Sequence, residues 1–129
     1  MTRKTPPYKE YEKWTTARFW SFIRSAIRKA YTKWPPKYLV LARNKRNAEY
    51  EWYGQSGRKL NVQYEYQCDG CKEWFERSSI EIDHKVPVGS LNCAEDLPGF
   101  VTKMFVSEDK LQLLCRECHQ EKTNAERAK

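Results

Sequence analysis

The chain has 129 residues, 32% of them charged and 14% aromatic, with a formal net charge of +7. That length suits one domain with or without an extension, and the longest plain apolar run, Tyr38 to Ala42, is far too short to cross a bilayer. The charge is unevenly divided: residues 1–60 hold 15 Lys and Arg against 4 Asp and Glu, a net of +11, whereas residues 61–129 hold 9 against 13, a net of −4. A polyanion would therefore be gripped by the first half and offered to the second. A basic surface that only maintains solubility is the alternative. Met1 to Glu10 is basic and proline-containing with no apolar segment behind it, so a signal peptide is not expected and cytoplasmic residence is. In that compartment five cysteines point to metal ligation before disulfides.

Met1 to Tyr11 reads as a flexible basic arm, because Pro6-Pro7 opposes helix. From Thr15 or Thr16, either a good N-cap, Phe19, Trp20, Phe22, Ile23, Ala26, Ile27, Ala30 and Tyr31 recur at three- and four-residue spacing. Arg18, Arg24, Arg28, Lys29 and Lys33 take the other faces, which predicts an amphipathic basic helix over 16–33, ended by Trp34-Pro35-Pro36. The apolar face packs on the rest of the protein, and the basic rim is a candidate contact for a DNA backbone. Membrane binding is not expected from so polar a chain. Pro36 opens a second, shorter helix to about Asn44, followed by a polar basic exit, Arg43 to Asn47, and a loop marked by Gly54 and Gly57. Lys59 to Gln67 reads as a strand leading into Cys68-Asp69-Gly70-Cys71, with Gly70 giving the backbone freedom of a tight knuckle. Ile80 to Val88 alternates as a second strand. Asp96 can cap a short helix with Pro98 in its first turn, and Ser107 to Asp109 turns the chain into an apolar strand, Leu111 to Leu114, that runs straight into a polar helix.

Two Cys-x-x-Cys pairs, Cys68/Cys71 and Cys115/Cys118, stand 43 residues apart. Four thiolates with no open position describe a structural zinc, which would staple the strand before Cys68 to the helix after Cys115. Cys93 has no partner at ligand spacing and reads as a free thiol. The only two histidines, His84 and His119, lie beside this staple. His119 follows Cys118 on a helix, so their side chains diverge by about 100°. With Cys118 on zinc, His119 faces another neighbour, and the strand ending in Asp83-His84 can be that neighbour. Asp83 and His119 would then hold one divalent cation through oxygen and nitrogen, and His84 would take a proton from an attacking water. Adjacent strand residues point to opposite faces, so convergence requires the strand to end or bend there.

Asp83-His84, the strand Leu111 to Leu114, and Cys115-x-x-Cys118-His119-x-x-Lys122-Thr123 resemble the HNH endonucleases, the ββα-metal or His-Me finger family, and the paired cysteines resemble its zinc-stapled branch. Val86 to Leu91 and Asp96 to Phe100 look like the small HNH proteins of bacteriophages. The resemblance covers roughly 66–126. It does not cover the N-terminal half. It implies an α+β fold with a ββα-metal core at 61–129, and the residue pattern ahead of it adds a basic helical extension at 1–60. It also implies hydrolysis of DNA phosphodiester bonds, with His84 as general base and with Asp83 and His119 holding Mg²⁺, Mn²⁺ or a transition metal. A terminase or other packaging partner and a host-cell cytoplasmic location belong to the same family-level expectation. One departure stands out: Lys110 occupies the place of the family's middle asparagine, which braces the loop beside the general base. A lysine keeps the backbone carbonyl but loses the side-chain amide, so weaker bracing or a phosphate contact is expected, and a plain exposed lysine is the alternative. Two other classes remain open on sequence: a zinc-stapled DNA-binding adaptor that does not cut, and an RNA-binding zinc protein whose aromatics over 8–34 stack on bases.

Overall fold

The computed structural model describes residues 14–128, so the arm expected over Met1 to Tyr11 lies outside the described residues. The described chain is mixed α and β, with four helices and three small sheets, and it packs as two compact units. Each unit is assembled from two separate segments. One takes 14–34 and Val86–Val106; the other takes Pro35–Lys85 and 107–128. The division expected at residue 60 follows the change in charge, but packing follows apolar faces, and these pair segments distant in sequence.

In the first unit, α1 (Thr16–Tyr31) starts where Thr15 accepts a hydrogen bond from the Arg18 amide at 3.2 Å. This satisfies one of the donors that a helix start leaves free. Trp20, Ile23, Ile27 and Tyr31, spaced as one helical face, pack on Leu91, Phe100 and Met104, which are buried. Phe100 and Met104 come from α3 (Leu97–Met104), preceded by a 3-10 turn at Ala94–Asp96. Asp96 stands at the N-cap of α3 without capping it. Its carboxylate accepts from the Asn92 amide at 3.0 Å, folding the preceding turn instead. Trp34 closes the unit by donating its indole N–H to the Val106 carbonyl at 2.7 Å, with its ring edge-on to Phe105.

In the second unit, Pro36 opens α2 (Pro36–Arg43) as expected. The segment after it, read from sequence as an irregular exit, is strand β1 (Lys45–Asn47). It pairs antiparallel with β4 (Tyr64–Gln67), which pairs in turn with β5 (Trp74–Glu76). No alternation in Lys45-Arg46-Asn47 signals a strand. The Lys45 ammonium over Tyr64 and the Arg46 bond to Glu65 hold it there, and both partners are remote in sequence. Gly54 and Gly57 turn a small hairpin between β2 (Trp52–Tyr53) and β3 (Lys59–Leu60), with Gly57 at φ 81°. The strand expected over Lys59 to Gln67 is thus two strands, β3 and β4.

The third sheet pairs β6 (Ile80–His84) with β7 (Leu111–Cys115) antiparallel, Ile80 opposite Cys115 and His84 opposite Leu111. β7 runs directly into α4 (Arg116–Arg127). Ile80, Leu111, Leu113 and Leu114 are buried with Val40 of α2. The Arg43 guanidinium, at the end of α2, donates to the Glu108 and Leu111 carbonyls at 3.0 and 2.9 Å, fixing the start of β7.

Candidate metal centres

The sulfurs of Cys68, Cys71, Cys115 and Cys118 lie within 4.8 Å of one another. Tetrahedral zinc with bonds of about 2.3 Å separates its sulfurs by roughly 3.8 Å, and Cys71 and Cys115 stand 3.9 Å apart. The four cysteines therefore suit a structural metal ion such as zinc. The loop between β4 and β5 delivers the first pair, and the junction of β7 with α4 delivers the second. The Cys68 amide donates to the Glu73 carbonyl and the Lys72 amide to the Cys68 carbonyl, which closes the knuckle. Lys72, not Gly70, carries the left-handed backbone, at φ 66°. Gly70 is required for a different reason from the one expected: a Cβ there would sit 2.9 Å from the Cys118 sulfur and 3.2 Å from its Cβ.

Burial opposes ionisation of the Cys68 thiol, yet the amides of Cys115, Cys71 and Gly70 outweigh it and bring the thiol down to about 7. Burial and the surrounding sulfurs of Cys115, Cys68 and Cys71 push the Cys118 thiol far up. Four thiolates cannot share this space without a cation, and a divalent metal removes that repulsion. Cys93 belongs to the first unit, half-buried, as a free cysteine.

At the other end of β6, Asp83 Oδ1 lies 3.5 Å from His119 Nε2. That is longer than a well-formed hydrogen bond and close to the roughly 3.0–3.4 Å that separates two nitrogen or oxygen ligands on one small divalent ion. Asp83 is only 10% exposed in its side chain. Its second oxygen, Oδ2, accepts from Gln112 at 2.9 Å and faces the Lys122 ammonium at 3.2 Å. Glu81, two residues back on the same face of β6, approaches His119 Nδ1 at 3.5 Å. Burial lowers the Lys122 ammonium's pKa, but the bonds to Glu126 and Asp83 prevail and raise it, so Lys122 is a cation here. His84, the last residue of β6, alternates to the opposite side from Asp83 by the pleat of the strand, and its carbonyl accepts from Lys122 at 3.0 Å. The chain bends at Lys85 directly afterwards, and the Lys85 amide donates to the Lys110 carbonyl at 3.0 Å. Lys110 thus joins the chain just after His84 through its backbone carbonyl, with an exposed side chain in a 3-10 turn.

Glu81, Gln112 and Lys122 were given no site role from sequence, although Lys122 stands in the motif that carries the resemblance and two signals were present. Glu81 shares the period-two face of Asp83, and Lys122 follows His119 by one helical turn. Gln112 joins the group only through the pairing register, in which it stands opposite Asp83.

The basic residues of α1 divide into two kinds. Arg24 donates to the Leu91 carbonyl at 2.9 Å, Arg28 lies over the Phe100 ring at 5.8 Å, and Arg18 over Trp14 at 5.4 Å. Lys29 and Lys33 are exposed near the helix C-terminus, where positive charge also complements the helix dipole.

A second buried polar centre lies in the sheet of β1, β4 and β5. The Glu65 carboxylate is fully buried and accepts from Arg46 Nε at 2.9 Å, the Trp52 indole at 2.7 Å and the amides of Glu49 and Tyr50. The Arg46 guanidinium stacks on Trp74 at 4.1 Å and Tyr50 at 5.1 Å. Every oxygen is satisfied, so this centre orders the loop between β1 and β2. Among the described residues no helix is long and apolar enough to cross a membrane. No protein-family model matches the chain, and neither the curated proteins nor the solved structures yield a significant match.

Proposed function

We propose that the protein is a metal-dependent DNA endonuclease of the HNH type, with β6, β7 and α4 as its ββα-metal core. The observation that carries this reading is the 3.5 Å approach of Asp83 on β6 to His119 on α4, the residue that follows Cys118 of the four-cysteine cluster. Two antiparallel strands followed by a helix, with one ligand on the first strand and one on the helix, support it. Asp83 and His119 would hold the catalytic cation, and bound there it would supply charge neutralisation at the scissile phosphate and the leaving oxygen. His84, at the bend that ends β6, takes the general-base role from the family resemblance and would remove a proton from the attacking water once turned towards the cation by that bend. The four cysteines take no part in the chemistry; they tie the start of α4, and so the position of His119, to the loop between β4 and β5. The positive charge of α1 supports DNA as the polyanion. Phage origin and a terminase partner follow from the family resemblance alone, and co-purification with a terminase subunit would test the latter.

The test is supercoiled plasmid incubated with purified, zinc-loaded protein in Mg²⁺, Mn²⁺ or EDTA, beside His84→Ala and Asp83→Ala. Cation-dependent nicking that falls about 100- to 10,000-fold in His84→Ala is the expected result. Binding of plasmid without cutting in any cation would replace this reading with that of a non-cleaving DNA-binding adaptor.

A further inference from the structure

We infer that Lys122 is a positioning residue that fixes Asp83 and His84 relative to each other and leaves Asp83 one oxygen for a cation. This rests on the nuclease reading above. Lys122 stands one helical turn after His119, on the face of α4 that covers Glu81 and Asp83. An ammonium has three N–H donors. Each meets an acceptor here: Asp83 Oδ2 at 3.2 Å, the His84 carbonyl at 3.0 Å and Glu126 Oε1 at 2.6 Å. Gln112, opposite Asp83 in the ladder, donates to the same Oδ2 at 2.9 Å.

The consequence for Asp83 is geometric. A carboxylate with both oxygens open can take a cation through one or both. With Oδ2 held by two donors, only Oδ1 remains, and Oδ1 is the oxygen that faces His119. For His84 the consequence is on the main chain. β6 ends at His84, which with Leu111 forms the last pair of the ladder. Lys122 grips its carbonyl from α4, and the Lys110 carbonyl grips the next amide, that of Lys85. One side chain therefore ties a candidate metal ligand to the backbone of the candidate base. The same ammonium repels a cation at Oδ1, so its role is not to strengthen metal binding. Positioning and affinity should separate on its removal.

The experiment compares the full zinc-loaded chain with Lys122→Met, which keeps the aliphatic stem, and Lys122→Arg, which keeps charge and donors. Two quantities are read: Mn²⁺ affinity by electron paramagnetic resonance, and plasmid nicking rate at saturating Mn²⁺. Lys122→Met is expected to bind Mn²⁺ at least as tightly as the wild type while nicking about 10- to 100-fold more slowly, and Lys122→Arg to recover most of the rate. Equal rates in wild type and Lys122→Met, or a loss of Mn²⁺ affinity that accounts for the whole loss of rate, would overturn the positioning role and leave the nuclease reading standing. A wild type that cuts with no cation would overturn both. Should Lys122→Met fail to retain zinc, Gln112→Leu carries the test through the same oxygen. A slower rate with zinc retained supports the role, and an unchanged rate overturns it.

Discussion

Asp69 and Leu113 are joined twice: the Asp69 amide donates to the Leu113 carbonyl at 2.7 Å, and the Leu113 amide donates to Asp69 Oδ2 at 2.8 Å. The first cysteine knuckle is thereby bonded into the strand that leads to the second. Asn44 joins the same junction, donating to Asp69 Oδ1 and to the Gln67 carbonyl at 3.1 and 2.9 Å. The four-cysteine cluster thus closes a structure that helix α2, the knuckle and β7 already share.

Zinc is expected to bind at one equivalent per chain and to account for much of the stability of the second unit, since structural zinc contributes roughly 10 kcal/mol or more in small domains. Chelation should lower the melting temperature sharply. Zinc affinity should also fall on acidification, because protons compete for the thiolates. The fall steepens as pH drops through about 7, where Cys68 takes up its own proton. Elemental analysis and calorimetric titration across pH 6–8 would check this, and an unchanged melting curve after zinc removal would count against it.

Gly70→Ala inserts a methyl 2.9 Å from the Cys118 sulfur. With a metal bound, the sulfur could not yield as a free side-chain tip would. A weakening of zinc binding of at least tenfold is expected, read by competition with a chromogenic chelator. Gly99→Ala, where nothing lies within 4 Å, is the matched control and should leave zinc binding unchanged.

Glu65→Gln removes the buried counter-charge of the half-buried Arg46, leaving it only the exposed Glu49, and should destabilise the protein by roughly 3 kcal/mol in urea unfolding. The wild type should show a corresponding acid limb. Burial raises the Glu65 pKa, but the Trp52 indole, the Tyr50 and Glu49 amides and Arg46 together hold it below its ordinary value of 4.5. A depressed carboxyl contributes fully above its unfolded pKa and loses that contribution as pH falls through the folded one. The wild type should therefore lose stability below about pH 4.5 more steeply than the variant.

The basic residues of α1 should separate in a DNA-binding assay. Lys29→Ala and Lys33→Ala are expected to leave the melting temperature unchanged and to lower the salt dependence of DNA affinity by about 0.9 per contact removed. Arg24→Ala should instead destabilise the first unit, because the Leu91 carbonyl loses its donor. Fluorescence anisotropy across a salt series, with thermal melts of the same proteins, distinguishes the two behaviours.

The helix starts at Thr15 and Pro36, the apolar face of α1, the strand at Leu111 and the two Cys-x-x-Cys pairs were legible in the sequence. Each is a local signal: a cap, a fixed φ, a period, or a ligand spacing that two pairs repeat. The candidate residues Asp83 and His119 were legible as residue types, and their convergence depended on the antiparallel register of β6 with β7 and on the turn of α4 after Cys115. That register also brought Gln112 to Asp83, which no spacing announces.

Other features belong to the tertiary structure alone. β1 is a strand because Glu65 and Tyr64 hold Arg46 and Lys45. Gly70 is needed because Cys118, far away in the chain, passes within contact of it. The two units interleave along the chain because α1 hides its apolar face on Leu91, Phe100 and Met104, whereas the change of charge at residue 60 determines no packing. Capping, turn chemistry and helical periodicity act over a few residues and leave their mark in the order of the sequence. Burial acts between surfaces, and which surfaces meet is decided only when the chain has folded.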